Sequence, residues 1–282
     1  MRALRFRRPF RGDALSTSAA VVLVALIALG AIAAPLHLGG DPRAIGVGPR
    51  LAPPAASWPL GTDAFGRSTL PRVLQGIGAT FLLATTAVLL TAVIAIVVGM
   101  IAGFVRGFPD EVIVRVADVL FSFPAILLAI MVSAILGPGK PAAVIAIVLI
   151  TMPLMLRVVR ATTLVVAERD FVLASEVAGA SLGRLLFVHI LPNIAGAAAV
   201  QATYAVSVGM LVESALSFLG LGVQPPDASL GSLLREGNVY LVIAPWLVFA
   251  PGVILAMTIL SVNLVGDGLR DALDPREARL LR

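Results

Sequence analysis

The chain has 282 residues, 59% of them apolar and only 13% charged, and a mean hydropathy of +1.01. Globular domains carry about 25% charged residues, so this composition excludes an ordinary soluble core and indicates a polytopic membrane protein. The net charge of +5 comes from Arg residues flanking apolar runs, which is how membrane orientation is encoded and argues against nucleic-acid binding, while the absence of Cys excludes disulfides and thiolate metal sites.

About 20 apolar residues span roughly 30 Å of hydrocarbon at 1.5 Å per residue. The sequence predicts six such helices: Ser16 to Ala34, Ala79 to Phe104, Val112 to Leu136, Pro141 to Leu156, Ile194 to Leu219 and Ala244 to Val265. Val158 and Val159, set between Arg157 and Arg160, carry the short fourth run on into the interface. The expected organisation is a basic tail over 1–15, a first span over 16–34, an external loop over 35–78, a core over 79–270 with five spans, and a second tail over 271–282. The first span also reads as a signal peptide cleaved near Ala31-Ile32-Ala33, which would leave five spans. With the N-terminus inside, fifteen of the 21 basic residues fall on the inner side and six on the outer. Both termini and the loop over 161–193 are therefore expected on the inner, cytoplasmic side.

Ionisable groups within spans are costly in hydrocarbon and are candidates for function. Glu213 belongs near the outer end of the fifth span, where it either meets a cationic group or hydrogen-bonds a neighbouring helix. Arg115 and Asp118, one turn apart, are expected to pair with each other or to act in gating. Asn263 and Asp267 lie near the inner end of the sixth span. Pro124, Pro153 and Pro251 are positions where a helix can kink. Outside the membrane, Asp63, Arg67, Asp227 and Arg235 are expected as exposed polar residues, and Ser229 to Asn238 as a short helix with Leu230, Leu233 and Leu234 on one face.

A polar island interrupts the apolar chain between the fourth and fifth spans: Glu168-Arg169-Asp170-Phe171-Val172-Leu173-Ala174-Ser175-Glu176-Val177-Ala178-Gly179-Ala180-Ser181, then His189-Ile190-Leu191-Pro192-Asn193. It resembles the cytoplasmic coupling loop of ABC importer permeases, with its Glu-Ala-Ala, Gly and Leu-Pro positions. Trp58-Pro59-Leu60-Gly61-Thr62-Asp63-Ala64-Phe65-Gly66-Arg67, Phe218-Leu219-Gly220-Leu221-Gly222-Val223-Gln224-Pro225-Pro226 and Gly266-Asp267-Gly268-Leu269-Arg270-Asp271-Ala272-Leu273-Asp274-Pro275-Arg276 are similar to three further motifs of the dipeptide, oligopeptide and nickel permease family. The last two resemble its C-type subunit.

The resemblance implies an all-α permease of the type I importer fold, with six transmembrane helices and a cytoplasmic coupling helix. It implies a homologous B-type permease, two ATPase subunits that hold ATP and Mg, an extracytoplasmic substrate-binding protein and a lipid bilayer as partners. Phe171, Val172, Ala174, Ser175, Glu176, Ala178, Gly179 and Ala180 would form the ATPase contact, and Glu213, Arg115, Asp118 and Asn263 the translocation path or gate. Asp63, Arg67, Asp227 and Arg235 would dock the binding protein. Two departures stand out, Leu173 at the motif's Glu and His189 at its apolar position. Glu176, one turn on, is either a substitute for that Glu or a solvated helix residue.

Peptides are the expected cargo, with nickel or haem as alternatives, because these motifs identify a scaffold and not what passes through it. A proton-coupled secondary transporter using Glu213, Asp118 and Asp267 is a reading from another class. No catalytic triad, phosphate-binding Gly-Lys-Ser/Thr loop or metal cluster appears in the sequence, so no cofactor or enzymatic step is expected on the chain itself.

Overall fold

The computed structural model describes residues 14–30 and 40–273. Their regular structure is helical: α1 (Ala14–Ala28), α2 (Thr69–Val105), α3 (Phe108–Ser122), α4 (Ala125–Leu136), α5 (Lys140–Ala167), α6 (Asp170–Val177), α7 (Leu182–Arg184), α8 (Leu191–Phe218), α9 (Leu230–Asn238) and α10 (Trp246–Leu273). A π-helical stretch, Leu185–Ile190, fuses α7 to α8. Four helices are long and apolar enough to cross a bilayer, namely Thr69–Val105, Lys140–Ala167, Leu182–Phe218 and Trp246–Leu273.

The third predicted span is not one helix. α3 and α4 meet at 95°, because Pro124 biases the preceding residue away from helical geometry and Phe123 is extended at φ −79, ψ 134. At the first predicted span, the described part of α1 covers 15 residues. Residues 31–34, with the cleavage reading at Ala31-Ile32-Ala33, lie outside the described residues, as do 1–13 and 274–282 of the two tails.

The other spans run longer than hydropathy suggests. α2 begins at Thr69 rather than Ala79, since Arg72, which interrupts the apolar run, has its charge neutralised by the carboxylates of Asp63 and Glu236. α5 likewise passes Leu156 and Arg160 to end at Ala167, so the loop expected from 161 begins only at Glu168.

α2 and α5 form the central seam. Ala87, Thr91, Ala95, Gly99 and Gly103 of α2 are all buried and recur at every fourth position, which puts a strip of small residues on one helix face. Close backbone approach follows from it. Thr91 Oγ1 lies 3.0 Å from Thr151 Oγ1, and a Cβ on Gly99 would come within 2.8 Å of Val159. A Cβ on Gly103 would meet the Arg160 carbonyl at 2.8 Å. Contacts advance together along both helices, so the two run parallel and α3 and α4 carry the chain back between them.

Three apolar clusters fill the bundle. One, around Met100, Met155 and Ile190, joins α2, α5 and the π stretch. A second, around Met210, Leu230 and Leu255, holds α9 against α2, α8 and α10, and a third, around Ala146 and Leu216, joins α4, α5 and α8. The expected short helix forms as α9; it is capped by Ser229 and buries Leu230 and Leu233, while Leu234 is half-buried.

Candidate functional site

The parallel seam creates two chemically different ends. Val105 and Ala167 finish together, and Arg106 bonds Glu168 at 2.8 Å just beyond them. α6 then begins after extended Arg169 and ends in a Schellman turn: Ala180 N–H donates to the Ser175 carbonyl at 3.1 Å, and Gly179 N–H to that of Glu176 at 2.9 Å. That turn needs Gly179, whose φ is +81.

The faces of α6 sort its residues. Val172 is fully buried, so it anchors the helix; the expectation that it contacts a partner is corrected by the helical period, which turns it toward the bundle. Phe171, Leu173, Ala174, Glu176, Val177 and Ala178 face outward, with Val177 at 89% exposure. Ser175 donates to the Phe171 carbonyl at 2.7 Å, and Ala180 is half-buried beneath the turn. Leu173 and Val177 were not among the sequence candidates, although their i, i+4 spacing puts them together. Glu176 is exposed and makes no ion pair among the described residues.

His189 sits against Phe171 with ring centroids 6.4 Å apart. The π stretch behind it buries Leu185, Leu186 and Ile190 and leaves Val188 exposed, as Leu182 is. The wide π turn also absorbs Pro192, whose missing N–H would break an ordinary helix there.

At the opposite end Asp63 is a hub. Its carboxylate accepts from the Phe65 and Arg67 backbone N–H groups, from Arg67 Nε at 2.6 Å and from Arg72 Nη1 at 2.9 Å. Glu236 of α9 closes the network by accepting from Arg72 at 2.6 Å. Asp63 and Arg67 are thus not exposed as expected, because each satisfies the other's charge beneath the loop. Asp227 is also engaged, accepting from Lys140 at 2.7 Å and Arg43 at 2.8 Å. Those two cations hold its carboxyl below the usual carboxylate range against the opposing effect of partial burial. Arg235 is exposed and makes no ion pair among the described residues.

Inside the bundle, Glu213 is fully buried. Ser217 Oγ donates to it at 2.6 Å, and the Thr80, Ser229 and Ser214 hydroxyls surround it, the arrangement of the hydrogen-bonded alternative. Asp118 accepts from Arg157 at 2.7 Å rather than pairing with Arg115, because α5 lies alongside α3 and Phe121 holds the Arg157 guanidinium at 4.6 Å. Arg160 pairs with Asp110 in the same way, and Arg115 stays exposed. Asn263 is half-buried on α10, and Asp267 accepts from the Tyr204 hydroxyl. The structure therefore does not gather Glu213, Asp118 and Asp267 into one relay. Among the described residues no cluster of three metal-ligating side chains occurs.

Residues 95–279 match the family described as the binding-protein-dependent transport system inner membrane component. The Di/tripeptide transport system permease protein DppC of Pseudomonas aeruginosa is 42% identical over 77% of this chain and 72% of its own length. The Dipeptide transport system permease protein DppC of Haemophilus influenzae is 37% identical over 91% of this chain and 89% of its own. The Oligopeptide transport system permease protein OppC of Bacillus subtilis is 36% identical over 95% and 87%. Among solved structures, an inward-facing MetNI methionine ABC transporter chain superposes with a TM-score of 0.60 at 17% identity, covering 73% of this chain and 98% of that one. At that identity the likeness speaks for the fold alone.

Proposed function

The chain belongs to the binding-protein-dependent transport permeases of ABC importers, and we propose that it forms, with a homologous second permease, the membrane path for short peptides. Its relatives' names support peptides over nickel or haem as cargo. ATP hydrolysis resides on partner ATPase subunits in this reading, and α6 is the coupling helix that receives their motion. Both termini and α6 face the cytoplasm, as the basic residues require, and α1 completes six spans.

One observation carries the mechanical part: α6 is a short, capped helix whose outward face is apolar although it lies beyond the ends of α2 and α5. Exposed apolar surface outside lipid indicates a protein partner. Val172, the Gly179 turn and the Phe171–His189 contact make α6 stiff enough to pass a push to the π stretch and thence to α8. Arg106–Glu168 ties the same point to the foot of α2. A rigid connection matters because a flexible one would dissipate the displacement that must switch a bistable helix packing.

The test is Leu173→Glu with Val177→Glu, two exposed positions that leave the buried anchor intact. Complexes purified through this chain should retain the second permease and lose most copurified ATPase. Full ATPase recovery and full transport-coupled hydrolysis would overturn α6 as the coupling element.

A further inference from the structure

Glu213 has no place in the coupling path, yet it is the most enclosed carboxyl group among the described residues. Ser217 Oγ donates to it at 2.6 Å, Ser214 Oγ lies at 3.5 Å, and the Thr80 and Ser229 hydroxyls complete a cage. Three of these hydroxyls are occupied on their other side. Ser217 Oγ accepts from the Val223 backbone N–H at 3.0 Å, Thr80 Oγ1 from that of Leu230 at 3.1 Å and Ser229 Oγ from that of Ser232 at 3.2 Å. A hydroxyl has one proton to give. With a lone pair committed to an amide, each of the three directs that proton at Glu213, and only a carboxylate offers acceptor sites for all of them in one place.

The amides gathered in this way share one place in the fold. Leu230 and Ser232 are the first and third residues of α9, whose opening N–H groups have no carbonyl partner within the helix, and Val223 lies in the connection from α8. α9 carries no acid in its own first turn. Glu213 supplies from α8 the negative charge that a helix start favours. Backbone packing fixes the same point: a Cβ on Gly231 would run into the Ser214 carbonyl, and one on Gly76 of α2 would come within 3.1 Å of the Leu230 nitrogen.

We propose that Glu213 is a positioning residue for transport: through its hydroxyl cage it locks the start of α9 to α8 and α2, so that α9 moves with them when α6 is displaced. This rests on the reading of α6 as the coupling helix. α8 runs from the π stretch beside α6 to Phe218 with its one proline in the first turn, so it carries Glu213 as part of a rigid rod. Apolar packing alone would let α9 slide. A buried carboxylate resists sliding, because parting it from its hydroxyls leaves an uncompensated charge inside the bundle. α9 also bears Glu236, which holds Arg72 and Arg67, so the lock extends to the loop that Asp63 organises.

The chain has no cysteine, so spin labels at Leu82→Cys of α2 and Asn238→Cys of α9, both exposed positions, report a single distance in the assembled importer with cysteine-free partners in nanodiscs. Without further change that distance should be narrow and equal in resting and vanadate-trapped complexes. Thr80→Val, which keeps the shape and removes the hydroxyl, should broaden it and make it differ between the two states. Thr80→Ser, which keeps the hydroxyl and loses a methyl, should leave it narrow; a role in packing alone would rank the two the other way. Glu213→Gln should reproduce Thr80→Val. In proteoliposomes both should lower uptake of a radiolabelled dipeptide mixture about tenfold, the size of an ordinary coupling between sites, while ATP hydrolysis stays at the wild-type rate. A narrow, state-independent distance in both Thr80→Val and Glu213→Gln would overturn the lock, as would a distance that changed on trapping in the protein with Thr80 and Glu213 intact. The resting distance involves no nucleotide, so it judges the lock even if α6 were not the coupling element. A wild type that took up none of the dipeptides would instead sink the importer reading.

Discussion

The two ends of the molecule hold their surface elements by different physics. At the end opposite α6, loop and α9 are fastened by charge: Asp63, Arg67, Arg72 and Glu236 form one network, and Asp227 clamps Arg43 and Lys140. At the other end α6 is fastened by a single buried Val172, a Schellman turn and one ring contact, and its exposed surface is largely apolar. A network of buried charges resists deformation because breaking any member leaves another uncompensated. An apolar helix face with few anchors instead acquires its stability from whatever covers it. The Asp63 end thus satisfies its charges internally, whereas α6 leaves a largely apolar face uncovered.

The strongest way to break this contrast is Arg72→Leu, which removes the buried cation between Asp63 and Glu236 and leaves Arg67 as the partner of both. It should cost roughly 3 kcal/mol and appear as a lowered midpoint of thermal unfolding in detergent together with protease sensitivity of the loop over 40–68. A midpoint equal to wild type would mean that the network is ornamental. Next comes Gly99→Leu in the seam that sets both ends in place. Its side chain would collide with Val159, and overpacking of this kind costs about 2 kcal/mol, so thermal stability should drop while both end structures stay intact up to melting.

Gly179→Trp should have a smaller effect on stability, about 1 kcal/mol for a side chain held at positive φ, because nothing lies within 4 Å of the position to clash. Its main readout is functional: copurified ATPase or coupled hydrolysis should fall without loss of the second permease. If both persist, α6 does not depend on its turn. The smallest change is expected from Asp227→Asn. The Asp227 pKa lies below its ordinary value, so its stabilising effect is complete above the unfolded pKa of about 4. It is lost as pH falls through the folded value. The melting difference between wild type and Asp227→Asn should be constant from pH 8 to about 5 and vanish in stronger acid; a difference that instead grew on acidification would contradict the pairing.

Parts of this architecture are legible in the chain because they are local. The long apolar runs locate the crossing helices, Gly179 marks the end of α6, and Ser229 with Leu230 and Leu233 marks α9, since each signal lies within one or two helical turns. The third span shows the limit. Hydropathy averages across Pro124 and sees one segment, whereas the backbone before a proline leaves the helix and turns it by 95°. At α2 the opposite error arises, because Arg72 interrupts an apolar count yet sits comfortably in a helix once two carboxylates reach it.

The sequence by itself determined a helical membrane protein, four of its apolar helices, the polar island and the identity of its motifs, all of which follow from composition, period and order along the chain. Only the tertiary structure decided which charges are free. Asp118 turned from Arg115 on its own helix to Arg157 on α5, Asp63 and Arg67 were drawn into mutual neutralisation with Arg72 and Glu236, and Glu213 was enclosed by hydroxyls. A charge takes the partner nearest in space, and in a bundle whose helices run parallel with their contacts offset by some sixty residues, as Thr91 and Thr151 show, that partner is far away in sequence.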